Sequence, residues 1–140
     1  MVEVKVKRLE KDANLPIQSS PNVYDIWMYN NTVDMTKRVM VCRTGLAFDI
    51  PEGYIGLVVP RYRNYEFFMC MGNSIGVIHP GHGEDELIIN FRLIGEYHAI
   101  DKDGNVEETK LVIPNRPTAP ARIVQLVVLP IPQTVIVENE

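Results

Sequence analysis

Ten prolines and nine glycines cut this 140-residue chain into short runs, and none of those runs carries a convincing helical period. Proline fixes φ and removes a backbone donor, while glycine accepts turn conformations that other residues avoid. The runs between them are rich in Val, Ile and Tyr and have the length of strands. Val2, Val4 and Val6 alternate with Glu3, Lys5 and Lys7, so the chain opens as a half-buried strand. Residues 9–21 read as polar and irregular. Short strands are expected over 24–28, 39–42, 46–50 and 54–59, the last two joined by the turn Pro51-Glu52-Gly53. Asn31 to Asp34 hold at most one helical turn. The class is all-β, a sandwich or jelly-roll-like barrel with little or no helix.

Residues 72–91 read as strand, tight turn, strand. Ile75, Val77 and Ile78 are apolar, His79-Pro80-Gly81-His82-Gly83 supplies the turn, and 87–91 is apolar again. Two further strands, 91–100 and 106–113, flank Asp101-Lys102-Asp103-Gly104-Asn105, a composition that favours a hairpin. Three prolines between 114 and 120 demand an extended connection without ladder bonds. Residues 123–129 form a buried strand, and 134–137 can pair once more at an edge. Length and the 46% hydrophobic content fit one domain over 1–140, with an added β-hairpin at about 91–113.

Charge and cysteine usage exclude several classes. A net charge of −4 argues against a binder of nucleic-acid polymers, which needs a basic field to neutralise phosphates. No apolar run approaches the roughly 20 residues that span a bilayer, so no membrane partner is expected. MVEVKVKRLE is not a signal peptide. Cys42 and Cys70 lack metal-ligand spacing and are expected as buried small hydrophobes in a reducing compartment. The expected location is the cytoplasm of a host cell or a virion assembled in it.

Two clusters invite functional readings. His79, His82, Glu84 and Asp85 lie close enough to converge on an ion, but their spacing matches no established metal motif, and a solvated loop tip is the simpler account. Tyr62, Tyr65, Phe67 and Phe68, with Arg61 and Arg63, resemble a stacking platform for bases, although core or interface packing explains such residues more often.

Four short motifs in order resemble those of trimeric dUTPases over nearly the whole chain. They are Val23-Tyr24-Asp25-Ile26, Pro60-Arg61-Tyr62-Arg63, the Gly72-Asn73…Gly76…Ile78 stretch and Arg122-Ile123-Val124-Gln125-Leu126. Thr44-Gly45-Leu46-Ala47 and Ile50-Pro51-Glu52-Gly53-Tyr54 resemble that family's framework connection. The resemblance implies a dUTPase-like distorted jelly roll and a homotrimer. It also implies a nucleotide site with Asp25, Arg61, Asn73, Gly76 and Gln125 as its vestigial candidates. In the family the aspartate matching Asp25 helps hold magnesium through water.

The departures fall on the chemistry. His79 stands where the family has its catalytic aspartate, His82 where it has a sugar-stacking tyrosine, and Tyr62 where it has a small serine near the phosphates. The glycine-rich C-terminal arm has no counterpart. In that family a carboxylate deprotonates the water that attacks the α-phosphorus. An imidazole can accept a proton, but it is bulkier and aims its lone pair elsewhere, and catalysis is steep in placement. The expectation is therefore a catalytically inactive trimeric module of bacteriophage type, without cofactor or metal. It would engage a protein partner such as a capsid or virion component. The alternatives are a nucleotide-binding module without hydrolysis and an active, divergent dUTPase, which would need magnesium.

Overall fold

The computed structural model describes residues 1–61, 69–111 and 121–139, and among them there is no helix. Tyr62, Arg63, Tyr65, Phe67, Phe68 and the proline-rich connection of 114–120 lie outside the described residues. Twelve strands are present among the described residues, most of them in two antiparallel sheets. The first sheet orders β1 (Lys5–Arg8), β5 (Val39–Asp49), β9 (Glu86–Leu93) and β7 (Met69–Met71), with β4 (Asn30–Asp34) also paired to β5. The second orders β2 (Ile17–Ser20), β3 (Val23–Trp27), β12 (Arg122–Pro130), β6 (Tyr54–Pro60) and β8 (Gly76–Ile78). β10 (Glu96–Ile100) and β11 (Val106–Leu111) form a separate two-stranded hairpin.

One apolar cluster joins the two sheets. Ile89, Phe91 and Leu93 of β9 alternate with outward Ile88, Asn90 and Arg92, as a strand with one solvated face should. They meet Met40, Cys42 and Phe48 of β5 and, from the opposite sheet, Val58, Val124 and Leu126. Burial raises the Cys42 thiol pKa to about 12, because the thiolate would lose its hydration. Cys70, expected to be buried as well, is exposed. It sits between buried Met69 and Met71 on a three-residue strand, and the period of two turns it outward.

β5 is one strand, where two were expected over 39–42 and 46–50. It is carried through a bulge at Thr44-Gly45-Leu46, where its register with β9 shifts between Arg43 and Ala47. Gly45 has φ +68°, and a β-carbon there would stand 2.9 Å from that of Ala13. Thr44 Oγ1 donates to the Leu87 carbonyl at 2.7 Å, so the buried hydroxyl is satisfied. The Glu86 carboxylate accepts from the Arg43 guanidinium and from the Gly45 amide. Arg43 also donates to Glu10, which pins the 9–16 loop onto the bulge. Bonds to Glu86 and Glu10 raise the Arg43 pKa further, and the Tyr29 hydroxyl, donating to Asp12, is raised too.

Several expected elements change. Residues 31–34, expected as one turn at most, belong to strand β4. The reversal follows it, with Asp34 Oδ1 accepting from the Thr36 and Lys37 amides and Arg38 at φ 56°. Residues 17–20 of the expected irregular segment pair with β3 as an edge strand. The strand expected over 91–100 divides into β9 and β10, and 134–137 makes no ladder among the described residues. Residues 72–91 depart most. β8 pairs with β6 and β9 with β5, so the turn at 79–83 crosses from one sheet to the other instead of closing a hairpin.

Candidate functional site

Asp25 lies mid-strand in β3, directly opposite Gln125 of β12, which faces Val59 of β6 on its other side. Partners across a ladder share a face, so Asp25 and Gln125 point the same way. Arg122 joins them through an irregularity. Residues three apart on a regular strand point to opposite faces, but the β12–β3 register shifts between Arg122 and Val124. Arg122 therefore pairs opposite Trp27, two residues from Asp25, and returns to the same face. The sequence motif names all these residues but not the register shift, so the ion pair was missed. Its only signal was one acid and one arginine in neighbouring strands.

Asp25 is 3% exposed and fully engaged. Arg122 Nη1 donates to its Oδ2 at 3.0 Å and Gln125 Nε2 to its Oδ1 at 2.9 Å. A buried carboxylate demands such partners, since leaving it unpaired is costly. The Arg122 guanidinium also lies 5.7 Å from the Trp27 ring centroid, within cation–π range. Arg61 Nη1 donates to the Arg122 carbonyl at 3.2 Å. Three of the five candidates, Asp25, Arg61 and Gln125, are thus gathered with Arg122 at one end of the second sheet. Arg122 engages the Asp25 carboxylate, while the Arg61 guanidinium is bound to a backbone carbonyl beside it.

Gly76 sits on the same sheet but not in that cluster, and Asn73 lies in the turn that links β7 of the first sheet to β8 of the second. The 72–75 turn is closed by Ser74 N donating to Met71 O at 3.2 Å and Ile75 N to Asn73 O at 2.6 Å, with Ser74 at φ 61°. Asn73 is exposed. Gly76 pairs with Val58, and a β-carbon on it would stand 3.2 Å from that of Val58, so a side chain would push β8 away from β6. Val58 faces Leu126, next to Gln125. Two strand spacings, roughly 10 Å, therefore separate Gly76 from the strand of Gln125, and three, roughly 14 Å, from that of Asp25.

His79 is exposed on the turn that crosses between the sheets. His82 Nδ1 lies 2.8 Å from Asp85 Oδ2, and the His79 and His82 ring centroids are 6.4 Å apart. Glu84 pairs with Lys7 of β1, and Gly83 packs on Asp49. Among the described residues no three His, Cys, Asp or Glu side chains come together in a way that would hold a metal ion. The site can offer hydrogen bonds and positive charge to an anion.

No family model and no curated protein matches the sequence. Solved structures do. A point mutant of the dUTPase of Staphylococcus bacteriophage 80alpha is 26% identical with a TM-score of 0.75, the match covering 100% of this chain and 97% of that one. A further mutant of that enzyme, solved with dUpNHpp, is 25% identical with a TM-score of 0.76 over 100% and 97%. Both belong to work describing phage dUTPases that control transfer of virulence genes by a proto-oncogenic G protein-like mechanism. A mutant dUTPase of phage phi11 of S. aureus, described for its structural Mg(II) ion, is 23% identical with a TM-score of 0.75 over 99% and 97%. This chain has the dUTPase-like fold across its full length.

Proposed function

We propose that this chain is a phage-type dUTPase-fold protein that does not hydrolyse dUTP and serves as a homotrimeric interaction module for a protein partner. The observation that carries the reading is the state of Asp25. Its two oxygens accept from Arg122 and Gln125 inside the chain, and it is almost wholly buried. A carboxylate so placed does not suit a hydrated divalent cation, so the residues present do not fit the magnesium that the fold family implies. The position of the family's base is His79, on an exposed turn. A general base contributes about 10²–10⁴-fold, and an imidazole in place of a carboxylate forfeits that placement.

Two further observations support a trimer. Beyond the Ile131 N bond to Gly53 O, residues 132–139 join no strand among the described residues, and Val135, Ile136 and Val137 are 82%, 98% and 76% exposed. Between the open edges of β1 and β2 runs an apolar groove of about 910 Å³, lined by Val2, Val4, Val6, Leu15, Tyr24 and Tyr54. A tail from a neighbouring copy, laid along that groove, would cover both surfaces. Repeated head to tail, such a contact closes into a ring.

A second reading, nucleotide binding without hydrolysis, is favoured by the surplus guanidinium at Arg61 and Arg122. Thermal denaturation with dUTP separates the two, since a ligand that binds the native state raises its melting temperature. No shift is expected. A saturable shift with no pyrophosphate released would replace the interaction module with a nucleotide-holding one. Co-sedimentation with assembled particles then asks whether the partner is a capsid or virion component.

A further inference from the structure

The two main sheets differ in what they turn outward. On the first, β5 and β9 mix Val39, Val41 and Ile88 with Arg43, Asn90 and Arg92, as a solvated face does. On the second, the central strands are apolar at both alternations. β6 reads YIGLVVP and β12 reads RIVQLVVLP, so the set facing away from the core is largely aliphatic as well. The ladders align that set across the sheet. Leu57 lies between Val77 and Val127, Val127 faces Val23, and Ile55 faces Leu129. Val77 and Leu129 are exposed, while Leu57 and Val127 are half-buried. The charges on the outward side of the three central strands, Asp25 and Arg122, already neutralise each other.

That composition says what kind of partner covers the face. Transient interfaces are about as polar as ordinary surface, whereas permanent contacts between copies are more apolar and resemble a core cut in half. Five strands make the face roughly 20 Å wide and 16 Å along the strands, a flat area of about 300 Å². A stable interface takes about 800 Å² per partner, so the face needs a contiguous addition. The tail supplies it, since Leu129 on the face runs through Pro130 directly into the exposed residues 131–137. Resting on the homotrimer reading above, we infer that the outward face of the β2–β3–β12–β6–β8 sheet packs against a neighbouring copy of this chain, in one contact continuous with the exchanged tail.

Sedimentation of the intact protein across micromolar concentrations tests this. Leu57→Lys sets a charge in the middle of the face and should reduce the assembly to the 15.9 kDa monomer. Leu57→Ala removes contact without adding charge and should raise the dissociation midpoint about tenfold. Ile88→Lys, at a 49% exposed position on the outward side of the first sheet, should leave the trimer intact. Urea midpoints establish that each variant is folded, and Leu57→Ala decides if the lysine variant is not. A folded Leu57→Lys that stays trimeric, an unmoved midpoint in Leu57→Ala, or equal dissociation by Ile88→Lys would each overturn the assignment while the homotrimer stands. A wild-type protein that sediments as monomer removes the homotrimer and this interface together.

Discussion

Asp25 shows how much one residue's role depends on its neighbours. Its carboxylate is stable in the interior because Arg122 and Gln125 satisfy both oxygens. Asp25→Ala should therefore lower unfolding stability by about 1–3 kcal/mol, toward the lower end because Arg122 is 42% exposed and can turn to water. Urea denaturation measures this, and a neutral result would mean the pair contributes nothing net. Thiol chemistry gives a second residue-scale test. Iodoacetamide should label Cys70 in the native protein and leave Cys42 untouched, because burial both shields that thiol and raises its pKa to about 12. The folded pKa lies above the ordinary value, so the Cys42 contribution to stability is complete below about pH 9 and declines as pH rises toward 12. Labelling of Cys42 without prior unfolding would show that the core opens locally. Asp25 and Gln125 were legible as motif residues. The ion pair of Asp25 with Arg122 was not, because it depends on a register shift that reverses which face Arg122 occupies.

At the scale of elements, alternation and turn chemistry carried most of the fold. The β10–β11 hairpin and the core strand β12 were legible because Asp101 to Asn105 and the run from Ile123 to Leu129 leave little choice. β4 was not, since Asn30 to Asp34 has little strand propensity and is held by the ladder to β5. The 79–83 turn was read as a hairpin because local signals cannot say which sheet each flanking strand will join. The β5 bulge gives a sharp prediction. Gly45→Ala meets both a left-handed φ and the β-carbon of Ala13, whereas Gly104→Ala meets a left-handed φ in open space. The backbone term is about 1–2 kcal/mol in each, so Gly45→Ala should cost measurably more than Gly104→Ala. Equal melting temperatures would show that the bulge relaxes around the added methyl.

For the whole molecule, assembly and chemistry are separable. The protein should sediment at about three times its 15.9 kDa monomer mass, and removing residues 134–140 should shift it toward monomer. Assembly unchanged by that deletion would place the contact elsewhere, with the outward face of the β12 sheet the next surface to alter. The absence of hydrolysis is the central claim, and single-turnover conversion of trace labelled dUTP by excess protein with magnesium tests it most directly, because slow product release cannot hide the chemical step. The account predicts no dUMP above the uncatalysed background in wild type, and none in His79→Asp, where Asp25 remains bound to Arg122 and Gln125. Conversion by the wild-type protein at an ordinary enzymatic rate, about 1 s⁻¹ or faster, would contradict it.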